Sequence, residues 1–159
     1  MLKQLPLVFL ILVFSRAYLK SNTPTCDYNA YSVKAPASEI QAVQDYLTSK
    51  GITNAQQHCS GVFYVIDNAG TGKQPSPCDA VDVTYVGRLT NGNQFDAATN
   101  YRNYLVSLIR GWANTIPLLK EGGTIHLYIP PTLGYGSQAV GSIPANSVLV
   151  FDVTLNAVL

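Results

Sequence analysis

Residues 106–130 read VSLIRGWANTIPLLKEGGTIHLYIP, and within this one stretch the apolar spacing changes its period. After Gly111 the pattern is that of a short apolar helix, near residues 112 to 120. TIHLYIP then alternates, with Ile125, Leu127 and Ile129 on one face and Thr124, His126 and Tyr128 on the other, which is the period of a half-buried strand. Trp112, the chain's single tryptophan, stands at the mouth of the helix directly behind a glycine. That placement suits either a core anchor or the floor of a binding pocket.

The flanking sequence repeats the strand pattern. VLVFDVTLNAVL, residues 148–159, places Leu149, Phe151, Val153 and Leu155 inward and Asp152, Thr154 and Asn156 outward. VDVTYVGRL, residues 81–89, alternates Val81, Val83 and Tyr85 with Asp82 and Thr84, and TNGN follows as a tight turn. GVFYVI, residues 61–66, is a further strand, and DNAGTG after it a turn cluster. One short helix among antiparallel, half-buried strands predicts an α+β fold.

Upstream, PASEIQAVQDYLTSKG predicts an amphipathic helix: Ser38 and Gln41 form a capping box, Ile40, Val43 and Leu47 share one face, and Gly51 closes it. Its expected role is to pack on the following domain. Residues 18–37 are polar, proline-punctuated and aperiodic, and are read as a flexible tether. Residues 1–17 carry Lys3, an apolar run from Leu5 to Phe14 and the small-x-small pattern Ser15-Arg16-Ala17, as a secretory signal does; an uncleaved anchor is the alternative. The expected division is therefore signal 1–17, tether 18–37, helical extension 38–58 and main domain 59–159. An exported protein of the periplasm or cell envelope, with membrane tethering as a variant, follows from that leader.

Composition excludes several function classes. Charged residues are 12% and hydrophobic ones 47%. Taking Lys3 and Arg16 from the ten basic residues leaves eight against nine acidic ones, no surface for nucleic acid. Cys59 and Cys78 each precede a candidate strand and are the expected disulfide, with Cys26 free or paired between chains; three reduced thiols are the rival reading. Three Cys and two His lack the paired spacing of zinc ligands, so neither a metal nor another cofactor is expected. No phosphate-binding glycine loop and no Gly-x-Ser-x-Gly elbow occurs. His126 reads as a solvated strand residue rather than a general base. Asp96 follows Phe95 in a loop of small residues, where its carboxylate either faces an apolar cavity or caps its own turn. What remains is aromatic and aliphatic, and each such residue taken singly belongs to a core.

In order along the chain, VTYVGRL, NGNQFDAA, LIRGW, LLKEGG, LYIPPTLGYG and IPANSVLVFDVTL resemble the successive motifs of the FKBP-type peptidyl-prolyl cis-trans isomerases, over residues 61 to 159. The resemblance implies a bent antiparallel sheet wrapped around one short α-helix. It implies a pocket with Trp112 as floor, Tyr85, Phe95 and Phe151 as walls, and Asp96, the Ile109 main-chain N–H and the Tyr135 hydroxyl as polar contacts. Tyr101, Leu108 and Ile143 are its further substrate-binding positions. Departures are Leu108 for the usual valine, Thr115 where glycine is frequent, Ala145 where proline is frequent, and a different loop length between Asp96 and Leu108. The implied activity is X-Pro isomerisation without cofactor by a monomer acting on proline-containing unfolded or nascent polypeptides, with the family's macrolide inhibitors as ligands. A non-catalytic proline-binding chaperone module and a structural domain with a self-filled cavity are the other readings.

Overall fold

In the computed structural model, which describes residues 27–159, the alternation of residues 81–89, 124–130 and 148–158 becomes three neighbouring strands of one antiparallel sheet. The order of elements is α1 (Ala37–Ser49), β1 (Gln56–Gln57), β2 (Phe63–Asn68), β3 (Ala80–Leu89), β4 (Gln94–Tyr104), α2 (Arg110–Thr115), β5 (Thr124–Ile129) and β6 (Leu149–Val158). The strands lie side by side as β1-β2-β5-β6-β3-β4. The inward residues of β3, β5 and β6 form one core with Trp112, Ile116 and Leu119. This is the expected α+β fold, a sheet folded around one short helix.

α2 starts two residues before the expected position. The Ile109 carbonyl accepts from the N–H groups of Trp112 and Ala113, which opens the helix at Arg110. It passes into a 3-10 turn at Ile116–Leu118, because Pro117 has no N–H to continue the ladder. Thr115, buried, donates its hydroxyl to the Gly111 carbonyl at 2.6 Å. Gly111 explains the close seating of α2. A Cβ there would stand 2.6 Å from Ile129 Cγ2 and 2.7 Å from its Cδ1, closer than side chains approach.

The other face of the sheet is not solvated as the alternation suggested. α1 lies on it, and Val43 and Leu47 pack with Phe63 and Tyr128 in a second cluster. The Ser38–Gln41 capping box does not form: Pro36 stands at the N-cap, and Gln41 donates to Asp45 instead. At the other end Gly51, at φ +67°, closes the helix with the Gly51→Thr48 and Ile52→Leu47 N–H to carbonyl bonds of a Schellman motif. Glu39, in the first turn, accepts from the main-chain N–H and hydroxyl of Thr132 at 2.8 and 2.7 Å.

Next to this cluster a line of alternating charge crosses four adjacent strands. Asp67 meets His126 Nε2 at 2.6 Å, His126 Nδ1 meets Asp152 at 2.6 Å, and Asp152 meets Arg88 at 2.5 Å. Burial opposes a charged His126 ring, but the hydrogen bond to Asp152 and the charges of both aspartates outweigh it and raise its pKa. A raised folded value makes this contribution complete below the unfolded pKa of about 6.5 and lost as pH climbs through the folded one. His126 is thus a paired residue rather than a solvated one.

Two further expectations need correction. Residues 96–104 are not loop but most of β4, hidden in the sequence because this edge strand is largely exposed and twice bulged. Cys78 is disulfide-bonded while Cys59 is a free, exposed thiol, so the Cys59–Cys78 bridge is absent. β5 and β6 stand between β2 and β3, a separation of about 14 Å across the sheet. The register also sets Phe63 level with Arg88, at the far end of β3 from Cys78. A disulfide requires Cα atoms within about 7 Å. Cys26 lies outside the described residues, as do the expected signal and residues 18–26 of the tether. Residues 27–36 are docked rather than free: Ala35 is buried and donates its N–H to the Ser60 carbonyl.

Two outcomes follow. Of the two described cysteines, native alkylation should modify Cys59, and Cys78 only after reduction, as read by peptide mapping. Gly111→Ala should lower stability by about 1–3 kcal/mol in urea titrations, and much of that loss should be absent when it is combined with Ile129→Ala, whose own cost is measured separately.

Candidate functional site

β3, β4, α2 and β6 present their side chains to one concave pocket of about 110 Å³, open to solvent. Its lining is Tyr85, Phe95, Asp96, Tyr101, Leu108, Ile109, Trp112, Tyr135 and Phe151. Nine of the ten pocket residues expected from the sequence therefore converge. Ile143 does not line it; buried at 6% exposure, it belongs to the core and pairs with Val140 across a tight turn containing Gly141, anchoring the loop that carries Tyr135.

The floor is a corner of three rings. Trp112 meets Tyr85 at 5.0 Å and 83°, and Phe151 at 5.2 Å and 79°, edge to face in both cases. Phe95 stands on Phe151 at 5.4 Å and 88°. Such pairs place the positive ring edge on the negative face and lock the rings' directions. Trp112 is 4% exposed, and its indole N–H has no partner among the described residues. The tryptophan is therefore core anchor and pocket floor at once.

The register of β4 explains how Asp96 and Tyr101 reach the same pocket. Five residues apart on an unbroken strand, they would point to opposite faces. Tyr101 lies opposite Val83 and Ala98 opposite Tyr85, so one extra residue is accommodated between them, where Asn100 takes φ +54°. Asp96 then falls opposite Gly87, on the same face as Val83 and Tyr85. A second extra residue, Phe95, sits between the Arg88–Gln94 and Gly87–Asp96 pairs. Its ring lies over Gly87, where a Cβ would come within 2.6 Å of Phe95 and 2.7 Å of Phe151. Gly87 falls within VTYVGRL, and its signal is a glycine inside an alternating strand.

The polar groups of the pocket are few. The Tyr85 hydroxyl donates to Asp96 Oδ2 at 2.6 Å. Burial, reinforced by this bond to a carboxylate, pushes the Tyr85 phenol far above its ordinary pKa. Asp96 is exposed at the rim, so its carboxylate faces solvent and the Tyr85 hydroxyl rather than an enclosed apolar cavity. Tyr135 also titrates high, through burial and then the nearby Asp96. Tyr101 accepts a bond from Asn103 at 3.0 Å. The Ile109 main-chain N–H, at the start of α2, has no acceptor among the described residues. No histidine, serine or cysteine lines the cavity. Among the described residues no three His, Cys, Asp or Glu side chains converge as metal ligands would. The arrangement can hold a small ring against aromatic walls and offer donors to adjacent carbonyls.

Comparison with known proteins bears on this pocket. A family model described as FKBP-type peptidyl-prolyl cis-trans isomerase matches residues 71–156. The FKBP-type peptidyl-prolyl cis-trans isomerase FkpA of Buchnera aphidicola subsp. Schizaphis graminum is 40% identical over 111 residues, which are 67% of this chain and 43% of that protein. The crystal structure of FkpA from Escherichia coli is similar with a TM-score of 0.69 at 35% identity, over 77% of this chain and 60% of that one. A peptidyl-prolyl cis-trans isomerase from Pseudomonas syringae gives 0.68 at 29% identity, over 79% of this chain and 98% of the other. This chain spans about two fifths of the length of the curated relatives it matches.

Gly87→Ala should displace Phe95 or Phe151. It should shift the intrinsic fluorescence of Trp112, which packs on Phe151, while near-UV circular dichroism still reports a packed core.

Proposed function

The chain belongs to the FKBP-type peptidyl-prolyl cis-trans isomerases, and from that premise we propose that its pocket catalyses cis-trans rotation about X-Pro bonds of exported polypeptides as they fold. The observation that carries this reading is the open pocket floored by the Tyr85–Trp112–Phe151 corner, a site of ring faces and hydrogen-bond donors with no nucleophile–base pair.

The reaction needs no such pair. Resonance in the planar amide sets a rotation barrier of about 18–20 kcal/mol, and X-Pro bonds exchange over tens to hundreds of seconds. Twisting the bond breaks the resonance and reduces charge separation between oxygen and nitrogen. The transition state is less polar than the planar ground state, so a site that replaces water by aromatic surface favours it relatively. In the proposed complex the pyrrolidine ring rests on the Trp112 indole between Tyr85, Phe95 and Phe151. The Ile109 N–H and the Tyr135 hydroxyl donate to substrate carbonyls on either side. Asp96, oriented by Tyr85, faces the rotating carbonyl group. Leu108 and Tyr101 bound the space for the residue before proline, and a bulky apolar residue is preferred there.

The proposed substrates are proline-containing unfolded or nascent polypeptides, macrolide inhibitors of the family compete for the same pocket, and the working unit is a monomer. Export to the periplasm or cell envelope rests on the leader pattern of residues 1–17. Among the described residues no helix is long and apolar enough to cross a membrane.

Assayed with a proline tetrapeptide, the protein should accelerate exchange; a folded sample that leaves the uncatalysed rate unchanged would be a proline binder only. Trp112→Leu should lower catalytic efficiency by about tenfold, or 1.4 kcal/mol. Asp96→Asn and Tyr135→Phe should each cost about 0.5–1.5 kcal/mol, the range of one hydrogen bond. The rate should be flat from about pH 5.5 to 8, because neither His58 nor His126 lines the pocket. A bell-shaped profile, or complete loss of activity in a folded Asp96→Asn variant, contradicts an environment-based mechanism.

A further inference from the structure

α2 has six residues, too few to hold a helical course by its own hydrogen bonds, so its direction depends on what packs against it. Its front is set by Gly111 on Ile129 and by Trp112 on Tyr85 and Phe151. Its back is formed by Arg110 and Asn114, four residues apart and hence on one face, each two residues and about 200° from Trp112. Residues 27–36 lie along that back as a strap.

Tyr28 is the strap's main contact. Its hydroxyl donates to Asn114 Oδ1 at 2.5 Å, and Asn114 is only 5% exposed. No other side chain among the described residues partners the Asn114 carboxamide oxygen. The Tyr28 ring also carries the Arg110 guanidinium at 6.0 Å from its centroid, and Arg110 donates to the Ser32 hydroxyl at 3.1 Å. Burial raises the Tyr28 phenol's pKa, with the Arg110 charge opposing it. The strap is itself held. Asn29 organises a turn by accepting from the Tyr31 N–H through its side chain and from the Ser32 hydroxyl through its carbonyl, and the Ala35 methyl occupies the space that Gly61 leaves free.

We propose that Tyr28 is a positioning residue for the pocket: through Asn114 it braces the back of α2 and so fixes the angle of the Trp112 indole on the opposite face. A buried carboxamide oxygen that loses its only side-chain donor must turn towards water, and a one-turn helix can follow it by rotating. A small rotation there moves the indole relative to Tyr85 and Phe151, and misplacement of a binding surface is costly in rate. The activity arm of this proposal rests on the isomerase reading; the spectroscopic arm does not.

Trp112 is the chain's only tryptophan, so intrinsic fluorescence reports the pocket floor directly. In the full-length protein, Tyr28→Phe keeps the ring over Arg110 and removes only the bond to Asn114. It should lower kcat/KM by about threefold and raise acrylamide quenching of Trp112; Tyr28→Ala should lower kcat/KM by about tenfold. Asn114→Ala should reproduce the Tyr28→Phe effects, and the double variant should add little to either. Tyr31→Ala, whose ring is 76% exposed, should leave both readouts unchanged. Should Tyr28→Ala fail to fold, Tyr28→Phe decides alone. Unaltered quenching and kcat/KM in a folded Tyr28→Phe protein, or fully additive effects with Asn114→Ala, would overturn the proposal. An unmutated protein without isomerase activity would remove the functional reading, while the quenching comparison would still judge the role of Tyr28.

Discussion

The contact between the backbone of Gly111 and the side chain of Ile129 is the constraint on which the pocket depends. A helix of one to two turns can lie against a curled sheet only if one of its residues lets the main chain approach, and at position 111 even a methyl group has no room. With that approach allowed, Trp112 is delivered edge-on to Tyr85 and Phe151 and becomes both buried and pocket-lining. Gly87 plays the corresponding part in β3, where the absence of a side chain lets Phe95 and Phe151 close the wall. Two missing side chains thus determine where four aromatic rings stand.

The chain's polar groups divide into two sets with different work. Most brace the scaffold: Glu39 holds the turn at Thr132 that leads into the Tyr135 loop, and the line Asp67–His126–Asp152–Arg88 ties β2, β5, β6 and β3 together. These groups are far from water only in part, and exposed ion pairs of this kind contribute modestly to stability. Only His126 and Asp152 stand directly opposite one another; His126 pairs in register with Val65 and Arg88 with Val150, so the contacts to Asp67 and Arg88 run diagonally and tie the strands obliquely. The pocket retains tyrosine hydroxyls, one rim carboxylate, the Trp112 indole N–H and the Ile109 main-chain N–H, a set that can hold carbonyl groups.

The N-terminal part of the described chain belongs to the same mechanical unit. α1 covers Phe63 and Tyr128 on one side of the sheet, and residues 27–36 cover the back of α2 on the other side of the core. Segments that read as extension and tether therefore bear on the two elements, the Tyr135 loop and α2, that frame the pocket. They touch those elements without lining the pocket.

Much of this protein was legible in its residues alone. Alternation in β3, β5 and β6 marks inward faces because one side of each strand must leave water, and the order of six short motifs points to Tyr85, Phe95, Trp112, Tyr135 and Phe151. What the residues could not disclose was relative placement. The Cys59–Cys78 pairing failed because closeness to two strand starts says nothing about which strands are neighbours, and β5 and β6 stand between β2 and β3. β4 looks like loop in the sequence because an exposed edge strand has no apolar period, and its bulges, which bring Asp96 and Tyr101 to one face, arise from pairing with β3. The partners of His126, the burial of Tyr128 under α1 and the bond from Tyr28 to Asn114 all join residues distant along the chain. Periodicity is a local property that a short window of sequence carries in full, whereas register and packing exist only once separate segments have met.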